Sequence, residues 1–134
     1  MTATALEELS TEPYVLLTTF RKSGEPVSTP VWIVDSGDGR LLVTTAGNSG
    51  KVKRIRNGSR VELTPCDMRG ATKDDAVVTP ATAEVLTDSA TRETIEAALL
   101  AKYGLRYRAI RAAGKLRGSD KVSVVLRLTL TPTA

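Results

Sequence analysis

The chain has 134 residues, a formal net charge of +4, one cysteine and no histidine. The missing histidine removes Ser-His-Asp and Cys-His mechanisms and the usual haem ligand. With Cys66 alone there is also no intrachain disulfide, and a zinc site has too few of its usual ligands. An enzyme of this composition takes its chemistry from a cofactor.

The length fits one domain over residues 1–134, able to bury roughly 68% of its unfolded surface. No apolar run approaches the ~20 residues of a membrane span. Met1 to Ser10 has neither the basic nor the apolar segment of a secretory signal, so the expected location is the cytoplasm.

In chain order, Leu6 to Leu9 predicts a short helix ended by Pro13. Tyr14 to Phe20 is β-branched and aromatic, a first strand, and Arg21 to Glu25 is a hairpin turn. Pro26 to Asp35 reads as one second strand with Val27, Thr29, Val31 and Ile33 on one face. Ser36-Gly37-Asp38-Gly39 turns the chain into a third strand, Arg40 to Thr45. Such short turns exclude parallel pairing, so the chain opens as an antiparallel meander.

Asn48 or Ser49 caps a helix running to about Asn57, with Val52 and Ile55 facing inward. Arg60 to Cys66 is a fourth strand and Asp67 to Asp74 a polar loop. Ala76 to Leu86 is a fifth strand, where Pro80 predicts a bulge or an edge. Asp88 or Ser89 caps a helix that ends near Tyr103 at Gly104, with Ile95, Leu99 and Tyr103 on one stripe. Leu105 to Leu116 is a second, basic helix, and Val122 to Leu130 alternates as the last strand. The expected fold is mainly β, a six-stranded antiparallel barrel with flanking helices.

The run Thr44-Thr45-Ala46-Gly47-Asn48-Ser49-Gly50-Lys51 places two hydroxyls, a glycine-containing turn and a lysine where a strand gives way to a helix. The first N–H groups of a helix lack internal partners and carry the positive end of its dipole, so this pattern suits a phosphate. An ordinary capped helix with a solvated basic face would have the same sequence. It is not a Walker A loop, which ends Gly-Lys-Ser/Thr. Ser28-Thr29-Pro30-Val31-Trp32 carries the single tryptophan and a strand proline, a combination found beside ligands and also in ordinary cores. Two stretches are basic and free of acids: Lys51, Lys53, Arg54, Arg56 and Arg60, then Lys102, Arg106, Arg108, Arg111, Lys115 and Arg117. With 4% aromatic residues and no recognition motif, nucleic acid is not the expected partner. Cys66 reads as a small buried hydrophobe.

The order GEPVSTPVWIV, DGRLLVTTAGNSGKVKRIRN and SRVELTPCD closely resembles the flavin/deazaflavin oxidoreductase split-barrel superfamily, the pyridoxamine 5′-phosphate oxidase-like group. It is most similar to small actinobacterial enzymes that depend on coenzyme F420. The likeness runs from about Tyr14 to Leu130. It implies a split barrel that dimerises, with two cofactor sites at the subunit interface; from composition, no metal is expected. It implies that Ser28, Thr29, Pro30, Val31 and Trp32 run beside the ring, and that Thr45, Ser49, Gly50 and Lys51 hold the phosphate. The expected cofactor is F420, with FMN as the alternative. The expected reaction is hydride transfer to a small unsaturated or quinone-like molecule, with a non-catalytic carrier as a further possibility. Lys53, Arg54 and Arg56, with the Arg106 to Arg117 stretch, offer a path for the glutamate tail of F420.

Overall fold

The computed structural model describes residues 5–47, 49–109 and 123–131. In order, these form α1 (Ala5–Thr11), β1 (Val15–Phe20), β2 (Pro26–Val31), β3 (Val34–Asp35), β4 (Leu41–Ala46), α2 (Gly50–Asn57), β5 (Arg60–Pro65), β6 (Thr79–Leu86), α3 (Ser89–Tyr103) and β7 (Ser123–Leu130). Residues 105–109 are also helical, and the rest of the predicted basic helix lies outside the described residues.

The strands form one antiparallel sheet in the order β2-β1-β5-β6-β7-β4-β3. Seven strands are described where six were expected. The predicted second strand, Pro26 to Asp35, is two strands: the chain leaves one edge of the sheet at Val31 and joins the opposite edge at Val34. The alternation runs unbroken through this step, because Ile33 faces the barrel core as Val31 does, and that continuity conceals the break. The opening is therefore not a simple meander; β4 lies beside β7 and β3, away from β2.

This step also dictates the curvature. Three residues span at most about 11 Å. The two edges of the sheet therefore meet near Trp32 and Ile33, and the sheet curls into a barrel split along β2 and β4.

Pro80 lies in β6, which is flanked by β5 and β7, so the expectation of an edge was wrong. Pro80 accepts a bond from the Thr131 amide, one residue past the end of β7. Its missing N–H thus falls where the ladder has already ended.

The interior holds Val15, Leu17, Leu41, Val43, Val61, Leu63, Leu126 and Leu128, all inaccessible to solvent. Each such side chain stabilises the fold by roughly 1.5–3 kcal/mol. Val52 and Ile55 of α2 add to the same core, so this helix covers part of the barrel. Ile95 and Leu99 of α3 pack outside the barrel on Val34, Leu42 and Val125. No described helix is long and apolar enough to cross a membrane.

Candidate functional site

Along β4, Leu41 and Val43 face the barrel core, which puts Thr45 on the inward side as the strand ends. Thr45 Oγ1 donates to Ser49 Oγ at 3.4 Å. Ser49 caps α2, its Oγ accepting the Val52 amide at 3.4 Å. The turn between β4 and α2 thus gathers Thr45, Ser49, Gly50 and Lys51 at the start of α2. Asn48 lies outside the described residues.

Arg54, expected on the path of the glutamate tail, is found at the turn itself. Its side chain folds back toward the start of α2, and a Cβ on Gly50 would lie 2.7 Å from its guanidinium. The glycine therefore makes room for this cation. Arg54 Nε donates to Thr19 Oγ1 at 2.6 Å, and Thr19 is 1% exposed. Thr19 in turn donates to the Val27 carbonyl at 3.4 Å, so α2, β1 and β2 are joined through one guanidinium. The signal was in the sequence: an arginine four residues after Gly50 shares its face, and helix side chains lean toward the N-terminus.

Lys51 is half-buried at the same end. Burial and then the charge of Arg54 lower its pKa. No carboxylate among the described residues forms an ion pair with Lys51 or Arg54. Two cations and the positive end of a helix dipole are thus held together with no counter-ion among the described residues, an arrangement whose repulsion an anion would relieve.

The second predicted segment borders the split. Among the described residues β2 is an edge strand, paired only with β1, and Pro26 and Pro30 withhold two of its N–H groups. Across the split, β3 pairs with Leu41 and Leu42 only. The remainder of β4, up to Ala46, therefore has β7 as its single ladder partner among the described residues. Both predicted segments thus lie on the free borders of one opening.

Thr29 lies opposite Leu17, on the inward side of β2. Its Oγ1 is buried and has no hydrogen-bond partner. A hydroxyl in that state costs roughly 1–3 kcal/mol. An orphaned polar atom on the inward side of β2 suits a bound polar group, as do two cations at the start of α2 that no carboxylate among the described residues pairs with; the donor set fits a phosphorylated cofactor. Val31 shares the inward side and packs against the core. Ser28 and Pro30 face outward and are exposed, with Ser28 Oγ 2.7 Å from Thr18 Oγ1. Trp32 also faces outward, and its ring stacks on Tyr103 of α3 at 4.1 Å between centroids. Arg56 is exposed in the last turn of α2, about 9 Å along the axis from Gly50. The structure does not bring it to the turn.

Beyond that end of α2 lies a basic cavity of about 300 Å3, lined by Phe20, Arg21, Lys22, Asn57, Gly58 and Arg60. The Arg60 guanidinium sits 3.9 Å above the Phe20 ring. Cys66 lines a separate cavity of about 380 Å3 with Glu12, Asp67, Lys73 and Asp75. Burial, Asp67 and Glu12 all raise the pKa of its thiol, which disfavours the nucleophilic thiolate.

The profile of the family described as pyridoxamine 5′-phosphate oxidase matches residues 1–131. Solved structures share the fold at low identity. A protein of unknown function from Agrobacterium tumefaciens is 20% identical, with a TM-score of 0.65 over 96% of this chain; the chain spans 54% of that protein's length. An F420 reductase is 17% identical, with a TM-score of 0.63 over 98% of this chain and 97% of its own. The heme storage protein HutZ of Vibrio cholerae is 13% identical, with a TM-score of 0.67 over 96% of this chain and 89% of its own. No curated protein matches the sequence.

Proposed function

The chain belongs to the pyridoxamine 5′-phosphate oxidase family, and on that premise we propose that it is an oxidoreductase that binds coenzyme F420 in its split and reduces a small unsaturated or quinone-like molecule. The observation that carries this reading is the start of α2, where Lys51 and Arg54 crowd the positive end of a helix with no carboxylate among the described residues to offset them. When bound, F420 supplies the hydride donor. The protein's part is to hold and orient it. Ser49, Gly50 and Lys51 seat the phosphate, with Arg54 beside them; Thr29 offers its hydroxyl to a polar group in the split.

Preference for F420 over FMN rests on charge beyond the phosphate. Lys53 and Arg56 are exposed along α2, and the basic cavity with Arg21, Lys22 and Arg60 follows at its far end. This strip suits a chain of glutamates, which FMN lacks. The proposal includes a homodimer: Ser28 and Pro30 are exposed on β2, and a second copy would cover that border of the split and shield the ring from water.

The test is a fluorescence titration with F420 and with FMN at two salt concentrations. F420 is expected to bind more tightly, with a preference that shrinks as salt rises, because part of it is screened attraction. Equal or tighter FMN binding at low salt would remove F420 from the proposal. Turnover with reduced F420 and a panel of quinones then separates an enzyme from a carrier.

A further inference from the structure

The step between the two borders of the split, Trp32 and Ile33, belongs to no strand. Its backbone groups still need partners, since buried N–H and C=O groups are seldom left unpaired. Side chains from the last turn of α3, some 70 residues away, supply them. Tyr103 Oη accepts the Ile33 amide at 3.2 Å, and Lys102 Nζ donates to the Ile33 carbonyl at 2.5 Å. The same two groups reach the junction of α1 and β1: Tyr103 Oη donates to the Pro13 carbonyl at 2.9 Å, and Lys102 Nζ to the Glu12 carbonyl at 2.7 Å. The Tyr103 ring meanwhile lies flat on Trp32, with 7° between the planes. One helix end thus grips the entry to β1 and the link from β2 to β3.

We propose that Lys102 and Tyr103 are positioning residues for the cofactor: their grip on Ile33 sets the width of the split between β2 and β4, and so the reach from Thr29 to the start of α2. The proposal rests on the cofactor reading above. The surroundings of the amine agree with a working contact. Lys102, which opens the second basic stretch of the sequence, is half-buried, and burial pushes its pKa down to about 8, against the opposing pull of Glu12. The pKa of the Tyr103 hydroxyl is raised first by burial, and Tyr103 is half-buried like Lys102.

The experiment uses the full chain with Tyr103→Phe, which keeps the stacked ring and deletes the hydroxyl, and with Lys102→Met and Lys102→Arg. Amide hydrogen exchange on the free protein reads the link directly. Tyr103→Phe is expected to speed exchange at Ile33. F420 affinity should fall about threefold to tenfold, the scale of one neutral hydrogen bond, while competition by inorganic phosphate at the start of α2 stays unchanged. Lys102→Met should act in the same direction, and Lys102→Arg, which keeps donors for both carbonyls, should restore binding. Faster exchange with unchanged F420 affinity would overturn the positioning role and leave the cofactor reading standing. An equal fall in F420 and phosphate affinity would overturn it too, as the mark of general loosening. A parent protein that binds no F420 ends the cofactor reading and the positioning role with it, whereas unchanged exchange in Tyr103→Phe refutes the grip itself.

Discussion

The two ends of α2 carry similar side chains in opposite circumstances. At the C-terminal end, Arg56 is exposed, and Arg21, Lys22 and Arg60 line a cavity beside Gly58. Cations there complement the negative end of the dipole, each contributing about 0.3–1 kcal/mol where exposed. At the N-terminal end, Lys51 and the returning guanidinium of Arg54 oppose the dipole, repel each other and lose water. Stability alone explains the first arrangement. In the second, the charge of Lys51 is held at a cost, and charge held at a cost points to a ligand of opposite sign.

Breaking this contrast at Arg54 should have the largest effect, because the residue serves both fold and site. Arg54→Ala leaves the buried Thr19 hydroxyl without its donor. A loss of roughly 1–3 kcal/mol in stability is expected, read from denaturant melts. Cofactor affinity should also fall roughly 10- to 150-fold, the worth of one charge-assisted bond. A variant with unchanged melting and binding would show that the guanidinium is idle.

A smaller effect, in pH, sharpens the comparison. Lys51 has its pKa lowered in the folded protein, so between that value and the ordinary one the unfolded chain binds more protons, and Lys51 makes stability rise with pH across the window. A bound phosphate favours the charged amine and raises its pKa again. Affinity should therefore decline as pH climbs through the pKa of the free protein, and Arg54→Ala should move that decline to higher pH. NMR titration of the lysine side chain with and without F420 checks both; a pKa that phosphate leaves in place would separate Lys51 from the anion.

The sequence made the strand pattern and the turn legible because both rest on local chemistry. The alternation in Val124, Leu126 and Leu128 and the cap at Ser49 need no distant partner. What escaped depends on tertiary placement. Val31 and Val34 sit on opposite edges of the sheet, yet the inward alternation through Ile33 looks like one strand. Trp32 stacks on Tyr103 of α3, a partner far along the chain that no local pattern announces. Arg56 and Arg54 look alike as residues; the glycine four positions before Arg54 draws one to the turn, and the other stays exposed.

The most direct test of the claim that the start of α2 seats the cofactor phosphate is a paired F420 titration of Lys51→Ala and Arg56→Ala, with melting temperatures alongside. Lys51→Ala should lose affinity roughly 10- to 150-fold with its melting temperature unchanged or slightly raised, since a lysine opposing the dipole has gone. Arg56→Ala should lose no more than about threefold, as a screened surface charge does, and the gap between the two should persist at high salt. If Lys51→Ala binds as tightly as the parent, or Arg56→Ala loses as much, the start of α2 is an ordinary helix cap and the cofactor sits elsewhere.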